Sequence, residues 1–191
     1  MGLNFLILYR TLMMKQLFAL YLLFISITAF SQEAIKPRPS PLAVVTCLYK
    51  DTYLKITYSQ PHMQRRKVFG KLVPFGKVWC TGANEATEIS CTRDININGL
   101  DLKAGTYSIF TIPEKDKWTV IVNADLGLWG SYNYNPKTDV LRFDVPVLAV
   151  ADVVYEPFSI WIDQKNDKAD WMMAWDKTKV LIPIQFLEPK P

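Results

Sequence analysis

After an apolar N-terminal run, the chain breaks into a series of short segments in which apolar and polar positions alternate. Tyr53 to Tyr58 sets Leu54, Ile56 and Tyr58 on one face and Lys55 and Thr57 on the other, a pattern that predicts a half-buried strand. Leu141, Phe143 and Val145 alternate with Arg142 and Asp144 in the same way. Thr106–Ile112 and Trp118–Asn123 are apolar on both faces, as central strands are, and the polar segment Pro113–Lys117 joins them as a hairpin loop. Asn98-Gly99 lies between Ile95/Ile97 and Leu100/Leu102 and predicts a tight hairpin, because both central turn positions need positive φ. Further strands are predicted at Ala43–Leu48, Val78–Thr81, Thr87–Thr92, Val153–Asp163, Trp171–Trp175 and Val180–Leu187. Beyond the N-terminal run no segment sustains a helical period, so the pattern predicts an all-β fold, an antiparallel β-sandwich or jelly-roll-like single domain.

The N-terminal run reads as a helical signal peptide. Lys15 supplies a positive end, and Leu17 to Phe30 is apolar over about 14 residues, within the usual range of roughly 7–15 and short of the ~20 that span a bilayer. Small residues at Ala29 and Ser31 place cleavage after Ser31, and Met13 and Met14 offer alternative starts. The expected layout is signal peptide over 1–31, a linker containing Pro37, Pro39 and Pro41 over 32–41, and one domain over 42–188. No cysteine follows the cleavage point, which argues against a lipoprotein. The expected location is periplasmic or secreted, with no transmembrane anchor after cleavage.

Charge and cysteine content narrow the function classes. The leader carries Arg10 and Lys15 and no acidic residue, so the formal net charge of +4 falls to +2 on cleavage. Nucleic acid is not an expected partner at that balance, and Arg65-Arg66-Lys67 reads as a solvated loop. Export permits disulfides, but three cysteines (Cys47, Cys80 and Cys91) leave at least one thiol unpaired in a monomer, and small core residues are the simpler reading.

Candidate chemistry is sparse. His62, the single histidine, lies in a turn-like segment, and Glu85 stands beside Asn84 in a Gly-Ala-Asn-Glu turn; these are the two acid/base candidates. Glycosidic cleavage needs a second carboxylate near Glu85, for which Glu88, Asp139 and Glu156 are available. A structural role is the alternative, with Asn84 in a left-handed turn and Glu85 capping backbone amides. Asp94, Asn96 and Asn98 resemble half a calcium loop, but the twelfth position is Gly105 and not an acidic ligand. No metal site or cofactor is expected. The loop Leu128–Pro136 gathers Trp129, Tyr132 and Tyr134 among Gly, Ser and Asn, the equipment of a glycan- or peptide-binding surface, or else of a loop whose rings plug the core.

Trp79, the run Thr81-Gly82-Ala83-Asn84-Glu85-Ala86-Thr87 and Ala104-Gly105-Thr106-Tyr107-Ser108 together resemble an exported bacterial family, domain of unknown function family 2911. Tyr58-Ser59 with Pro61, Arg66 with Phe69-Gly70, Trp118-Thr119-Val120, Trp129-Gly130 with Tyr132 and Tyr134, and Trp175-Asp176-Lys177-Thr178 with Val180 extend the resemblance over Ser40 to Phe186. It implies an exported β-rich domain and no established activity. In the family pattern an arginine usually follows the tryptophan, where this chain has Cys80, and another lies between Ser59 and Pro61, where it has Gln60. An anion clamp built from that pair would be missing here.

The sequence thus points to an exported, non-enzymatic module that binds a small molecule, glycan or cell-envelope partner. Trp79, Trp129, Tyr132 and Tyr134 would supply stacking area, and Asn84 and Glu85 would orient polar groups. The alternatives are a hydrolase of envelope glycan or peptide using Glu85 or His62, and a purely structural or assembly module.

Overall fold

A computed structural model describes residues 2–28, 36–150 and 152–187. The chain divides into two units, Met1–Pro37 and Arg38–Pro191. In the first, Gly2–Thr28 forms one α-helix (α1). Among the described residues no helix is long and apolar enough to cross a membrane. The expected cleavage point after Ser31 lies outside the described residues.

The second unit is antiparallel β. Its strands are β1 (Leu42–Tyr49), β2 (Thr52–Ser59), β3 (Thr87–Cys91), β4 (Ile95–Ile97), β5 (Leu100–Leu102), β6 (Gly105–Pro113), β7 (Lys117–Asn123), β8 (Asp139–Ala149), β9 (Tyr155–Lys165), β10 (Lys168–Asp176) and β11 (Thr178–Phe186). Neighbours run β1-β2-β3-β6-β7-β8-β11-β10-β9, with the β4–β5 hairpin attached to β11. The expected all-β architecture is present, and its two walls are halves of one continuous sheet. The long strand β8 makes the corner: Asp139 to Pro146 pair with β7, and Val147 to Ala149 pair with β11.

The two ends of the sheet, β1 and β9, come together at a seam, so the sheet is nearly closed into a barrel. Chain just past β2 crosses to β9, where Phe158 N–H donates to Pro61 O (2.9 Å) and Met63 N–H to Glu156 O (3.1 Å). Further along, the seam is bridged by side chains. Ile160 N–H donates to the Tyr58 hydroxyl (3.0 Å), and the Cys47 thiol donates to Gln164 Oε1 (3.0 Å). Near-closure leaves few unpaired edge groups exposed to another chain.

Strand alternation fills the interior. Leu54, Ile56, Tyr58, Ile89, Ile109, Trp118, Val120 and Val122 from one wall meet Ile160, Trp171, Met173, Trp175, Val180 and Ile182 from the other. β6 and β7 are apolar on both faces because a second, smaller cluster lies outside them: Phe110 and Ile121 pack under Cys80, Ala86, Leu128 and Tyr134. The hairpin expected at Asn98-Gly99 forms with φ of 52° and 83°. Asp94 accepts from Ala104 N–H and Lys103, and Asn96 donates to Asp101, so the polar face of this hairpin is engaged in its own turn.

Candidate functional site

Trp79 to Thr87 forms the corner that joins the two walls to the loops. Val78–Thr81, expected as a strand, contributes one bridge: Trp79 N–H donates to Thr111 O (2.8 Å) and Thr111 N–H returns to Trp79 O (2.9 Å). Thr81 and Asn84 then take left-handed φ of 56° and 60°, turning the chain back so that Thr87 N–H reaches Cys80 O (3.0 Å). Buried hydroxyls fix the turn. Thr87 Oγ1 donates to Thr81 O (2.7 Å), and Thr81 Oγ1 donates to Thr111 Oγ1 (3.2 Å). At Gly82 the turn approaches β2 closely enough that a Cβ would lie 2.9 Å from Ser59 O.

Trp79 does not join the loop aromatics at the surface. Its ring packs inward against Trp175 (centroids 5.8 Å), Phe158 (5.0 Å), Trp118 (5.9 Å) and Phe69 (6.3 Å), and its Nε1–H donates to Gly82 O (2.9 Å). Such aromatic pairs contribute about 0.5–1.5 kcal/mol beyond area burial, so this half-buried ring is committed to the core it packs against. Tyr134 is likewise committed: it packs on Phe110, donates to Asp139 (2.7 Å) and accepts from Arg142 (2.7 Å). Asn84 donates to Ser40 O and Ser59 Oγ, both at 3.4 Å, and so holds the incoming chain.

Glu85 faces outward. Of its two readings, acid/base group or structural cap, the carboxylate is seen to take the Arg38 guanidinium, with Nη1 at 2.8 and 2.9 Å from its two oxygens. That hydrogen bond, with help from its own backbone N–H, holds the carboxyl below the usual range. Glu85 also forms an antiparallel bridge with Trp129, and Gly130 N–H donates to Asn84 O (2.7 Å). Bridged residues project from the same side of the sheet with Cβ atoms about 4.5–5.5 Å apart. Trp129 is 55% exposed and Tyr132 86% exposed. The Tyr132 ring lies over Gly130, whose φ of +59° disfavours a side chain and where an added Cβ would lie 3.0 Å from that ring.

The loop 126–136 therefore divides. Leu128 and Tyr134 close the outer cluster over β6 and β7, while Trp129 and Tyr132 face solvent beside Glu85.

The other candidates lie elsewhere. His62 Nδ1 is 2.8 Å from Glu156 Oε2, and Glu156 Oε1 accepts from Gln64 N–H (2.8 Å). Glu156 O also accepts from Trp175 Nε1–H (3.0 Å), which makes this residue the clasp at the closed end of the seam. The Gln64 amide and then His62 hold its carboxyl below the ordinary range. Asp139 is taken by Tyr134 and Arg142, and Glu88 accepts from Gly127 N–H (3.2 Å). The three carboxylates that could have partnered Glu85 thus have other partners. All three cysteines are free and buried, and burial pushes the Cys80 thiol up to about 11. Gln60 reaches inward to the Tyr58 hydroxyl (3.4 Å), whereas Cys80 lies in the outer cluster, so these positions serve opposite faces of the wall.

Arg38, Ser40 and the Glu156 clasp are absent from any sequence motif. Their partners lie 47, 44 and 94 residues away, and only the chain's path brings them together. No curated protein and no solved structure matches the chain. A family sequence model matches residues 40–184, the span that carries both walls, the corner and the aromatic loop, and the chain belongs to that family, described as a protein of unknown function (DUF2911).

Proposed function

We propose that the protein is an exported, non-enzymatic binding module, periplasmic or secreted, that recognises its partner with the face formed by Glu85, Trp129 and Tyr132. Export is supported by the apolar helix α1 with Lys15 within it, followed by the proline-containing tether. The binding role rests on one observation: two aromatic side chains stand exposed on an anchored loop beside a held carboxylate. Rings kept in water by a loop that Leu128 and Tyr134 anchor to the outer cluster provide contact area with little conformational entropy to lose. Asn84 serves this face by positioning it. A general-acid role suits Glu85 poorly, because the hydrogen bond from Arg38 favours its ionised form.

Trp129 is the most exposed of the six tryptophans, with Trp79 and Trp161 half-buried and the other three buried, so the part of external quenching that Trp129→Ala removes reports on this face. Soluble envelope-glycan and peptide fragments are expected to change the emission of the wild type and leave Trp129→Ala unchanged. Equal responses from both proteins would remove this face from consideration.

A second reading, assembly through the sheet, is favoured by β1, whose outward Leu42, Val44 and Leu48 are all exposed. Self-association in sedimentation that Val44→Lys abolishes would support it; a monomer at all concentrations would refute it.

A further inference from the structure

Arg38 is the last feature of the tether before the sheet begins, and it is attached to the aromatic face. Pro37 and Pro39 flank it, each with its φ fixed by the ring, and the chain bends at Pro39 and Ser40. Two contacts downstream hold the tether in place: Asn84 donates to Ser40 O, and Gln60 N–H donates to Pro41 O (2.8 Å). Arg38 is thereby delivered to Glu85 from within the same chain.

The corner sets together the two groups a cation receptor uses, an exposed carboxylate and an exposed indole on bridged residues. A carboxylate supplies the countercharge, and a neighbouring indole supplies a face with negative quadrupole, the pairing that attracts guanidinium and ammonium groups. From this arrangement we infer that the Glu85–Trp129 corner binds a cationic side chain of a partner peptide, arginine or lysine, and that Arg38 is a built-in occupant which the partner displaces. The inference rests on the binding role proposed above and specifies its ligand class and its regulation.

Three observations carry it. The ion pair is open to solvent on both sides, with side-chain exposures of 56% for Arg38 and 41% for Glu85. Exposed pairs of this kind contribute little net stability, so the contact suits exchange better than permanent anchoring. Its geometry is not the two-nitrogen fork that makes arginine–carboxylate pairs strong, because Nη1 alone meets both oxygens. Finally, the contacts at Ser40 O and Pro41 O hold the tether without using the Arg38 side chain. A partner must compete with an intramolecular group, which lowers its apparent affinity until that group is removed.

The test uses the full chain and three capped tripeptides, acetyl-Gly-Arg-Gly-amide, its lysine counterpart and a neutral glutamine control, followed through the Trp129 indole N–H resonance. Arg38→Ala is expected to bind the arginine peptide about five-fold more tightly than wild type, which corresponds to about 1 kcal/mol. Adding Glu85→Gln to Arg38→Ala should abolish binding, and the glutamine peptide should not bind any variant. The inference is overturned if Arg38→Ala gains nothing, if the double variant binds as well as the single, or if the neutral peptide binds equally. Glycan fragments titrated in parallel separate the two claims. Trp129-dependent glycan binding with no cationic binding refutes the cation receptor and keeps the binding face, whereas no response to either refutes both.

Discussion

Gly82→Ala tests the corner by the sign of its effect. Gly82 lies outside the left-handed region of φ, so alanine fits its backbone. An unhindered glycine-to-alanine change of that kind stabilises by about 0.4–1 kcal/mol through the unfolded chain. Here the added methyl would lie 2.9 Å from Ser59 O and 3.2 Å from Thr87 Oγ1. Neither neighbour is free to give way. Ser59 is buried and paired with Leu42 across β1–β2, and Thr87 Oγ1 is held by Thr81 O at 2.7 Å. Relieving the overlap requires the turn to lift from β2, which strains the Asn84 contacts to Ser40 and Ser59 as well. Overpacking of this type costs about 1–3 kcal/mol. At roughly 2–4 °C per kcal/mol for a domain near this size, the melting temperature should fall by about 4–8 °C for a loss of ~2 kcal/mol. Calorimetric or circular-dichroism melts of the two proteins supply the comparison. An unchanged or raised melting temperature would mean that the turn does not rest on β2 as described.

Two further outcomes follow from the seam and the thiols. Glu156→Gln should cost about 0.5–1 kcal/mol at neutral pH, a figure discounted for the exposure of the pair. Because the folded state depresses the Glu156 carboxyl, its contribution is complete above the ordinary carboxylate range and is lost as pH falls through the folded value. The stability gap between wild type and variant, measured by urea titration at pH 7 and at about pH 3, should therefore narrow on acidification; a gap that stays the same or widens would contradict the clasp. The three buried thiols, with Cys80 pushed up to about 11, should resist a disulfide-exchange reagent in the native protein at pH 8, and all three should react after denaturation without reductant. A missing thiol after denaturation would reveal a bridge.

Much of the fold was legible because a half-buried strand must alternate. Leu54/Ile56/Tyr58 and Phe143/Val145 announced their inward face, and Asn98-Gly99 announced its turn through the φ values it demands. Two-faced strands were harder to interpret. Phe110 and Ile121 mark central strands, but nothing local states that their outer side is covered by a loop and by Cys80 and Ala86 instead of a second sheet. The candidate site was legible in composition and not in direction. Trp79 and Trp129 both sit beside turn residues, and one is drawn into the core while the other is left in water. Local sequence does not encode that choice, since it depends on which wall each bridge joins. Arg38 lies in the proline-containing linker, where no pattern marks it, and His62 lies in a turn-like segment. Arg38 meets its carboxylate through the β1-β2-β3 order of one wall, and His62 meets its own across the seam.

The division of labour between Trp79 and Trp129 is the centre of this account, and urea unfolding of Trp79→Ala beside Trp129→Ala measures it directly. Removing the ring that meets Trp118, Trp175, Phe158 and Phe69 should cost about 3–5 kcal/mol, as deletion of core aromatics does. Removing the exposed ring should change stability by no more than about 0.5 kcal/mol. Similar losses in the two variants, or a larger loss at Trp129, would contradict the assignment of one ring to the core and the other to recognition.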